Sequence, residues 1–437
     1  MPPKPSLSFL WQRLKRNAAV ITTGGSWSVQ LPSDIQRNLR WYFMDGVFSA
    51  SQEAINVTYL TLFVLALGAS KTQIGLMTSL ASLSAVILLL PGALLSERLG
   101  QRKWVVIASG GGVTRLTILA LALLPFFAHG SLAVWIAIAL KVLMDGFANL
   151  GMPAWTSLSA DIVPLAWRGR FFSTRNIVMG AANMLVTFIA GQIITLAGTP
   201  IAGYQIVYVL AFFFGMSASF SFSHIQESRK KADPAALAAY KPASLLNTLQ
   251  SDANFRNFAI SQMVWNFGLG ISAPFFSVYQ VEVLKATPAV VGILSIISSL
   301  AGLPALRLFG GLNDRWGAHK LTLFTGFLIP LVPVLWVFTS TPWHPVPIQV
   351  LAGALWAGYG LASFNLLLLI STPQTLPRYT ALFQMAVMIS SAVGSAAGGF
   401  IVQEWGFPAI FILSGILRLA GIIVFWRLVK TPTPERQ

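Results

Sequence analysis

Five ionisable side chains stand deep inside long apolar stretches of the N-terminal half: Asp45 and Glu53 in 41–67, Arg115 in 104–127, and Lys141 and Asp145 in 132–160. At the centre of a membrane helix such a charge costs roughly 2.5–3.5 kcal/mol, so each needs a partner or a wet cavity. Three acids and two bases can carry a proton, hold a charged solute or neutralise one another. Tyr42, Asp45, Ser49, Gln52 and Asn56 recur at i, i+3, i+7, i+10 and i+14, one stripe of a helix, with Glu53 beside it. Lys141, Asp145 and Asn149 follow at i, i+4 and i+8. A polar line on an otherwise apolar helix faces water rather than lipid. Glu53 is the best-placed proton carrier and Asp145 the second, because desolvation raises a carboxyl pKa, a nearby cation lowers it, and a moving protein can exchange the two influences. Structural readings stand beside these. Lys141 and Asp145 can neutralise each other across one helical turn, and Arg115 can form a packing salt bridge to Asp45 or Glu53.

The elements that position these groups are apolar helices. The chain has 437 residues, of which 55% are hydrophobic and only 10% charged, whereas soluble chains carry about 25% charged residues. Twelve stretches are long enough to cross a bilayer, roughly 41–67, 73–95, 104–127, 132–160, 171–197, 204–223, 256–281, 288–309, 320–340, 346–370, 380–402 and 408–428. Pro330 and Pro333 should kink the ninth. Of 29 Lys and Arg, 24 fall in the two tails and alternate joints, while the opposite joints hold only Lys71 and Lys285. The positive-inside rule then places both termini in the cytoplasm, with a bacterial inner membrane as the expected location. The net charge of +16 is therefore a topology signal and an attraction for anionic lipid, not a nucleic-acid footprint. Residues 7–16 suit either a short amphipathic helix on the inner leaflet or a basic tail without structure.

No Cys is present, and the four His are scattered, so thiolate chemistry is excluded and neither a metal centre nor another cofactor is expected. There is no phosphate loop, no G-x-S-x-G elbow and no H-E-x-x-H pair. The membrane charges contain no nucleophile–base arrangement, so an enzyme is not expected. Gly110-Gly111-Gly112, lying inside the third stretch, reads as helix packing.

The two halves repeat. Residues 75–103 and 292–320 align without gaps at an offset of 217, with eight of 29 positions identical, among them Gly75/Gly292, Arg98/Arg315, Gly100/Gly317 and Lys103/Lys320. Repeated membrane helices joined by a polar linker are a common build of secondary transporters. The expected organisation is a basic tail over 1–38, a six-helix bundle over 39–223, a cytoplasmic linker over 224–254, a second bundle over 255–428 and a tail over 429–437. The fold class is thus an all-α integral membrane protein with twelve transmembrane helices in two pseudo-symmetric six-helix bundles.

Gly310-Gly311-Leu312-Asn313-Asp314-Arg315-Trp316-Gly317, followed by His319-Lys320, resembles the G-x-L-x-D-R-x-G-x-R-K loop of the major facilitator superfamily. Glu97-Arg98-Leu99-Gly100-Gln101-Arg102-Lys103 is its copy in the first half, with Glu for Asp, and Asp161 to Arg170 resembles the family's joint between helices 4 and 5. The resemblance implies that helices 1, 4, 7 and 10 line a central cavity. Candidate substrate contacts are then Tyr42, Asp45, Gln52, Asn56, Lys141, Asp145 and Asn149, with Trp265, Asn266 and Trp356 as an aromatic and amide face opposite. It also implies gating by Glu97, Arg98, Asp161, Arg168, Asp314 and Arg315. The family's drug-antiport signatures are only partly present: helix 5 has Ala190-Gly191-Gln192 without the Gly-Pro pair, and Asp145-Gly146 follows Lys141 out of register.

The function expected is secondary active transport of a small organic solute by alternating access, coupled to protons, by a monomer in the bilayer. A uniporter, a Na⁺-coupled symporter and a non-transporting membrane scaffold are the alternatives.

Overall fold

The computed structural model describes residues 20–227, 252–371 and 376–430. Residues 7–16, most of the linker and the side chain of Glu97 lie outside the described set. Six helices form the first bundle: α1 (Ser33–Ala66), α2 (Lys71–Leu99), α3 (Arg102–Phe127), α4 (Gly130–Ile162), α5 (Arg168–Leu196) and α6 (Pro200–Ser223). The second bundle holds α7 (Ala253–Ser272, continued by Phe275–Glu282), α8 (Pro288–Trp316), α9 (Ala318–Leu328, continued by Leu331–Trp336) and α10 (Pro345–Ile370). The last helical run, Leu376–Leu428, breaks at Gly406 (φ 76°) into α11 before it and α12 after it.

Nine helices among the described residues are long and apolar enough to cross a membrane. Three features account for the difference from twelve. The Gly406 break makes two spans of one continuous run. Helix α1 carries the Gln52, Glu53 and Asn56 stripe, and α7 is interrupted around Pro274. The ninth helix does bend as its prolines predict, restarting at Leu331 after Pro330. Large apolar side chains such as Leu116, Phe213, Leu308, Phe364 and Ile416 are exposed, as helices facing hydrocarbon require.

The internal repeat runs deeper than residue identity. Ser70 caps α2 with a full capping box, and Thr287, 217 positions later, caps α8. Gly100 (φ 58°) and Gly317 (φ 81°) end the same two helices in a conformation that favours glycine. At the end rich in Lys and Arg, Asn38 clamps Gln226 through two hydrogen bonds, and Asn254 clamps Lys430 in the same way. Each clamp ties the first helix of a bundle to the exit of its last.

The bundles meet at the opposite end. Helix α2 packs on α11 and α5 on α8. Lys71 Nζ lies 3.4 Å from Glu282 Oε2 and 4.8 Å from the Phe407 ring centroid. Ala289 N donates to Thr195 Oγ1 at 3.1 Å, and Thr72 Oγ1 to the Gly399 carbonyl at 3.4 Å. Among the described residues every hydrogen bond and ion pair that joins the bundles lies there. Among the described residues the basic end, rich in Lys and Arg, shows none.

Candidate functional site

A cavity of about 510 Å³ lies in the first bundle, walled by α1, α3, α4 and α6. It runs from Glu53, Arg115 and Lys141 toward Val106, Met152 and Phe222 near the basic end. All five membrane charges line it, with Gln52, Asn56 and Asn149. The stripe on α1 reaches this wall because its flanking residues Ile55, Leu62 and Phe63 are buried in the apolar core.

The charges are not equivalent. Asp45 Oδ2 lies 3.6 Å from Arg175 Nη2, and both side chains are buried. Arg175 also covers the Tyr42 ring at 4.4 Å and donates from Nε to the Tyr42 carbonyl at 3.3 Å. A Cβ on Gly46 would stand 2.4 Å from Arg175 Nη2, so glycine there leaves room for the guanidinium. Lys141 Nζ pairs with Asp145 Oδ1 at 2.8 Å, and Asn149 Nδ2 donates to the Asp145 carbonyl at 3.0 Å. Glu53 is exposed on the cavity wall and has no ion pair among the described residues. Arg115 likewise has no carboxylate within 4.0 Å, and its Nε is buried without a hydrogen-bond partner. Gln52 Oε1 is also unpartnered, and both side chains converge on Gly215 of α6. Both atoms are closed off against α6, so each carries the cost of an unpaired buried polar group.

The structure rearranges several expectations. Arg115 does not pair with Asp45 or Glu53. Asp45 is taken by Arg175, which in sequence looks like one more basic charge of the joint after the fourth stretch. The only local hint was its place four residues after Phe171, already inside α5. Tyr42 is fully buried, donates to Ser159 Oγ at 2.6 Å and does not reach the cavity wall. The glycine run lies in a π-helical turn, Ile107–Val113, a form of helix often found at functional sites. Gly111 packs on Ser219 as expected, but Gly110 faces open space, and both line the cavity.

Trp265, Asn266 and Trp356 come together in the second bundle, around a separate cavity of about 280 Å³ walled by α7, α10 and α11. Trp265 is buried, stacks on Tyr359 at 4.8 Å and meets Trp356 edge-on at 6.3 Å. Gln262 Nε2 donates to Tyr359 Oη at 3.0 Å, and Asn266 Nδ2 to the Gln262 carbonyl at 2.8 Å. Tyr359 was not singled out in the sequence, since a lone Tyr on an apolar helix carries no signal of its own.

At the basic end Asp161 pairs with Arg102 at 2.7 Å, and Arg102 also holds Glu227 at 2.9 Å. Glu227 in turn accepts from the backbone N–H groups of Arg102 and Lys103 at the start of α3. Arg168 donates to the carbonyls of Val163 and Ala160. Arg98, Asp314 and Arg315 are exposed.

Two six-helix bundles, joined among the described residues at one end and each holding a cavity between its own helices, define a secondary transporter. The sequence profile of the Major Facilitator Superfamily matches residues 42–346 and 258–437, and the chain belongs to that family. It is 24% identical over 410 residues to the multi-drug resistance efflux pump PmrA of Streptococcus pneumoniae, covering 90% of this chain and 97% of that protein. It is 23% identical over 341 residues to the multidrug resistance protein MdtG of Proteus mirabilis, covering 77% and 81%. Its fold is similar to that of a bacterial homologue of the iron transporter ferroportin in an inward-facing state. The TM-score is 0.69 at 15% identity, covering 89% of this chain and 98% of that one.

Proposed function

We propose that this transporter exports amphipathic organic solutes in exchange for protons, with Glu53 as the proton-carrying group. The observation that carries the reading is the contrast among three acids on one wall: Asp45 and Asp145 are ion-paired, whereas Glu53 faces the cavity unpaired. A group that must gain and lose a proton in each cycle cannot be held permanently by a neighbouring cation. Lys141 and Arg115 line the same cavity and supply the positive charge that the Glu53 carboxylate faces when the solute is absent.

The solute class rests on three supports. A cavity of about 510 Å³ is the size of drug-like sites. The Trp265, Trp356 and Tyr359 cluster offers an aromatic surface to a flat or cationic body. The pneumococcal and Proteus relatives carry efflux and multidrug names. The basic end lies in the cytoplasm by the positive-inside rule, so the cavity would load from inside. The units that rock are 39–223 and 255–428, tethered by 224–254, with the tails 1–38 and 429–437 on the same side. Glu97, Arg98, Asp161, Arg168, Asp314 and Arg315 form the latch that closes when the basic ends approach. A monomer suffices, because both walls belong to one chain.

Proteoliposomes supplied with cationic, zwitterionic and anionic amphipathic dyes under an imposed pH gradient test this reading. Wild-type protein should concentrate at least one dye only with the gradient, while Glu53→Gln loses concentration but keeps gradient-independent exchange. Undiminished concentration by Glu53→Gln would remove that residue from the mechanism. Concentration driven by a sodium gradient alone would replace the proton, and equilibration without concentration would make the protein a uniporter.

A further inference from the structure

Among the described residues the second bundle contains one fully buried cation, and the transport reading above does not use it. Arg418 stands midway along α12 and is 1% exposed. Its Nη2 donates to Ser272 Oγ at 2.9 Å, the one hydrogen bond its guanidinium makes among the described residues, and its Nε is buried without a partner. No salt bridge reaches it. The acids described in this bundle are elsewhere: Asp252 accepts from Tyr379, Glu282 pairs with Lys71, and Asp314 and Glu404 are exposed.

A guanidinium stays protonated in any protein environment. Buried without a counter-charge, it is among the most unfavourable groups a membrane helix can hold. Arg175 in the first bundle is equally buried, and there Asp45 answers it. Arg418 has no such answer among the described residues.

What Arg418 does have is space. It lines a cavity of about 280 Å³, together with Gln349, Ser298, Trp336, Trp356 and Phe276. The lining offers a fixed positive charge, an amide and a hydroxyl, and three aromatic rings, with no acid. Trp356 also lines the neighbouring Trp265 cavity, so the two spaces share a wall.

We propose that this cavity binds a singly charged anion, with Arg418 as the counter-ion. The chemistry is met by the carboxylate of an aromatic acid, whose ring would lie among Trp336, Trp356 and Phe276, or by chloride. Either one restores neutrality and gives the guanidinium the charge-assisted bonds it lacks. The site is distinct from the Glu53 cavity, so it stands or falls apart from proton coupling.

The test is calorimetric titration of the full-length protein in lipid nanodiscs, in halide-free buffer, with benzoate, chloride and neutral benzamide. Saturable binding of benzoate or chloride, and none of benzamide, is expected. Arg418→Gln should weaken it roughly 10–100-fold, the cost of losing a hydrogen bond to a charged group. Gln349→Glu leaves Arg418 in place and supplies a resident carboxylate. It should abolish anion binding and raise the unfolding temperature, which keeps the test decisive if Arg418→Gln fails to fold. Benzoate binding that chloride displaces only weakly identifies an organic acid site, whereas saturation by chloride alone identifies an inorganic one. The assignment is overturned if neither anion binds the wild type, or if affinity is unchanged in both variants.

Discussion

The two bundles share one scaffold and divide the chemistry between them. The first concentrates six charges around its cavity: Asp45 with Arg175, Lys141 with Asp145, and the unpaired Glu53 and Arg115. The second lines a cavity between α7, α10 and α11 with Trp265, Trp356 and Tyr359 and, among the described residues, has one buried cation, Arg418. Caps, helix ends and exit clamps recur in both, so duplication preserved the parts that build helices. The parts that bind diverged. A repeat read from capping and glycine positions therefore says where a cavity is, and the unmatched residues say what each wall does.

The largest expected effect tests the charged wall directly. Glu53→Gln should reduce gradient-driven dye concentration to the level of empty liposomes, whereas Asp145→Asn, which loses a partner of Lys141, should leave coupling in place. Equal loss in both would dissolve the distinction between paired and unpaired acids. Flux assays in proteoliposomes decide it.

Next in size is the buried pair. Arg175→Ala strands Asp45 in the bundle and should destabilise by about 3–5 kcal/mol, the cost of removing one partner of a buried ion pair. Thermal unfolding of the purified protein measures this. Gly46→Val should act in the same direction, because a Cβ there would stand 2.4 Å from the guanidinium.

The aromatic wall should contribute less. Trp356→Ala is expected to weaken binding of a cationic aromatic dye by about 0.5–2 kcal/mol, with little change for an aliphatic solute. Equal losses for both would mean that the wall supports the fold rather than selecting the ligand.

Smallest is the clasp that joins the halves. Lys71 and Glu282 are partly solvated, so breaking the pair should shift the conformational balance by only about 0.2–1 kcal/mol. The chain contains no Cys, so a single introduced thiol near Gly399 reports opening by its labelling rate. Lys71→Ala should raise that rate up to roughly 5-fold, and the swap Lys71→Glu with Glu282→Lys should restore it.

Much of the fold was legible because its signals are local. Apolar length, breaker residues and the one-sided distribution of Lys and Arg are properties of short windows, and they indicated a multi-pass helical protein with two repeated halves. The polar stripe on α1 was legible for the same reason, since a helical period is visible within four turns. Gly110 shows where that reading ends. A triple glycine inside an apolar run looks like packing, yet a π turn places it on a cavity wall. Tyr42 shows the reverse: it belongs to the stripe by spacing, but Phe171 of α5 and Ser159 of α4 pack over it and bury it.

Sequence by itself determined which residues are too polar for lipid and on which helix each stands, because hydropathy and periodicity act along the chain. Only the tertiary structure decided which of those charges are satisfied. Arg175 reaches Asp45 from another helix, Lys141 holds Asp145, and Glu53, Arg115 and Arg418 are left to face cavities. Charge pairing acts through space at a few ångströms, and no window of sequence contains that distance.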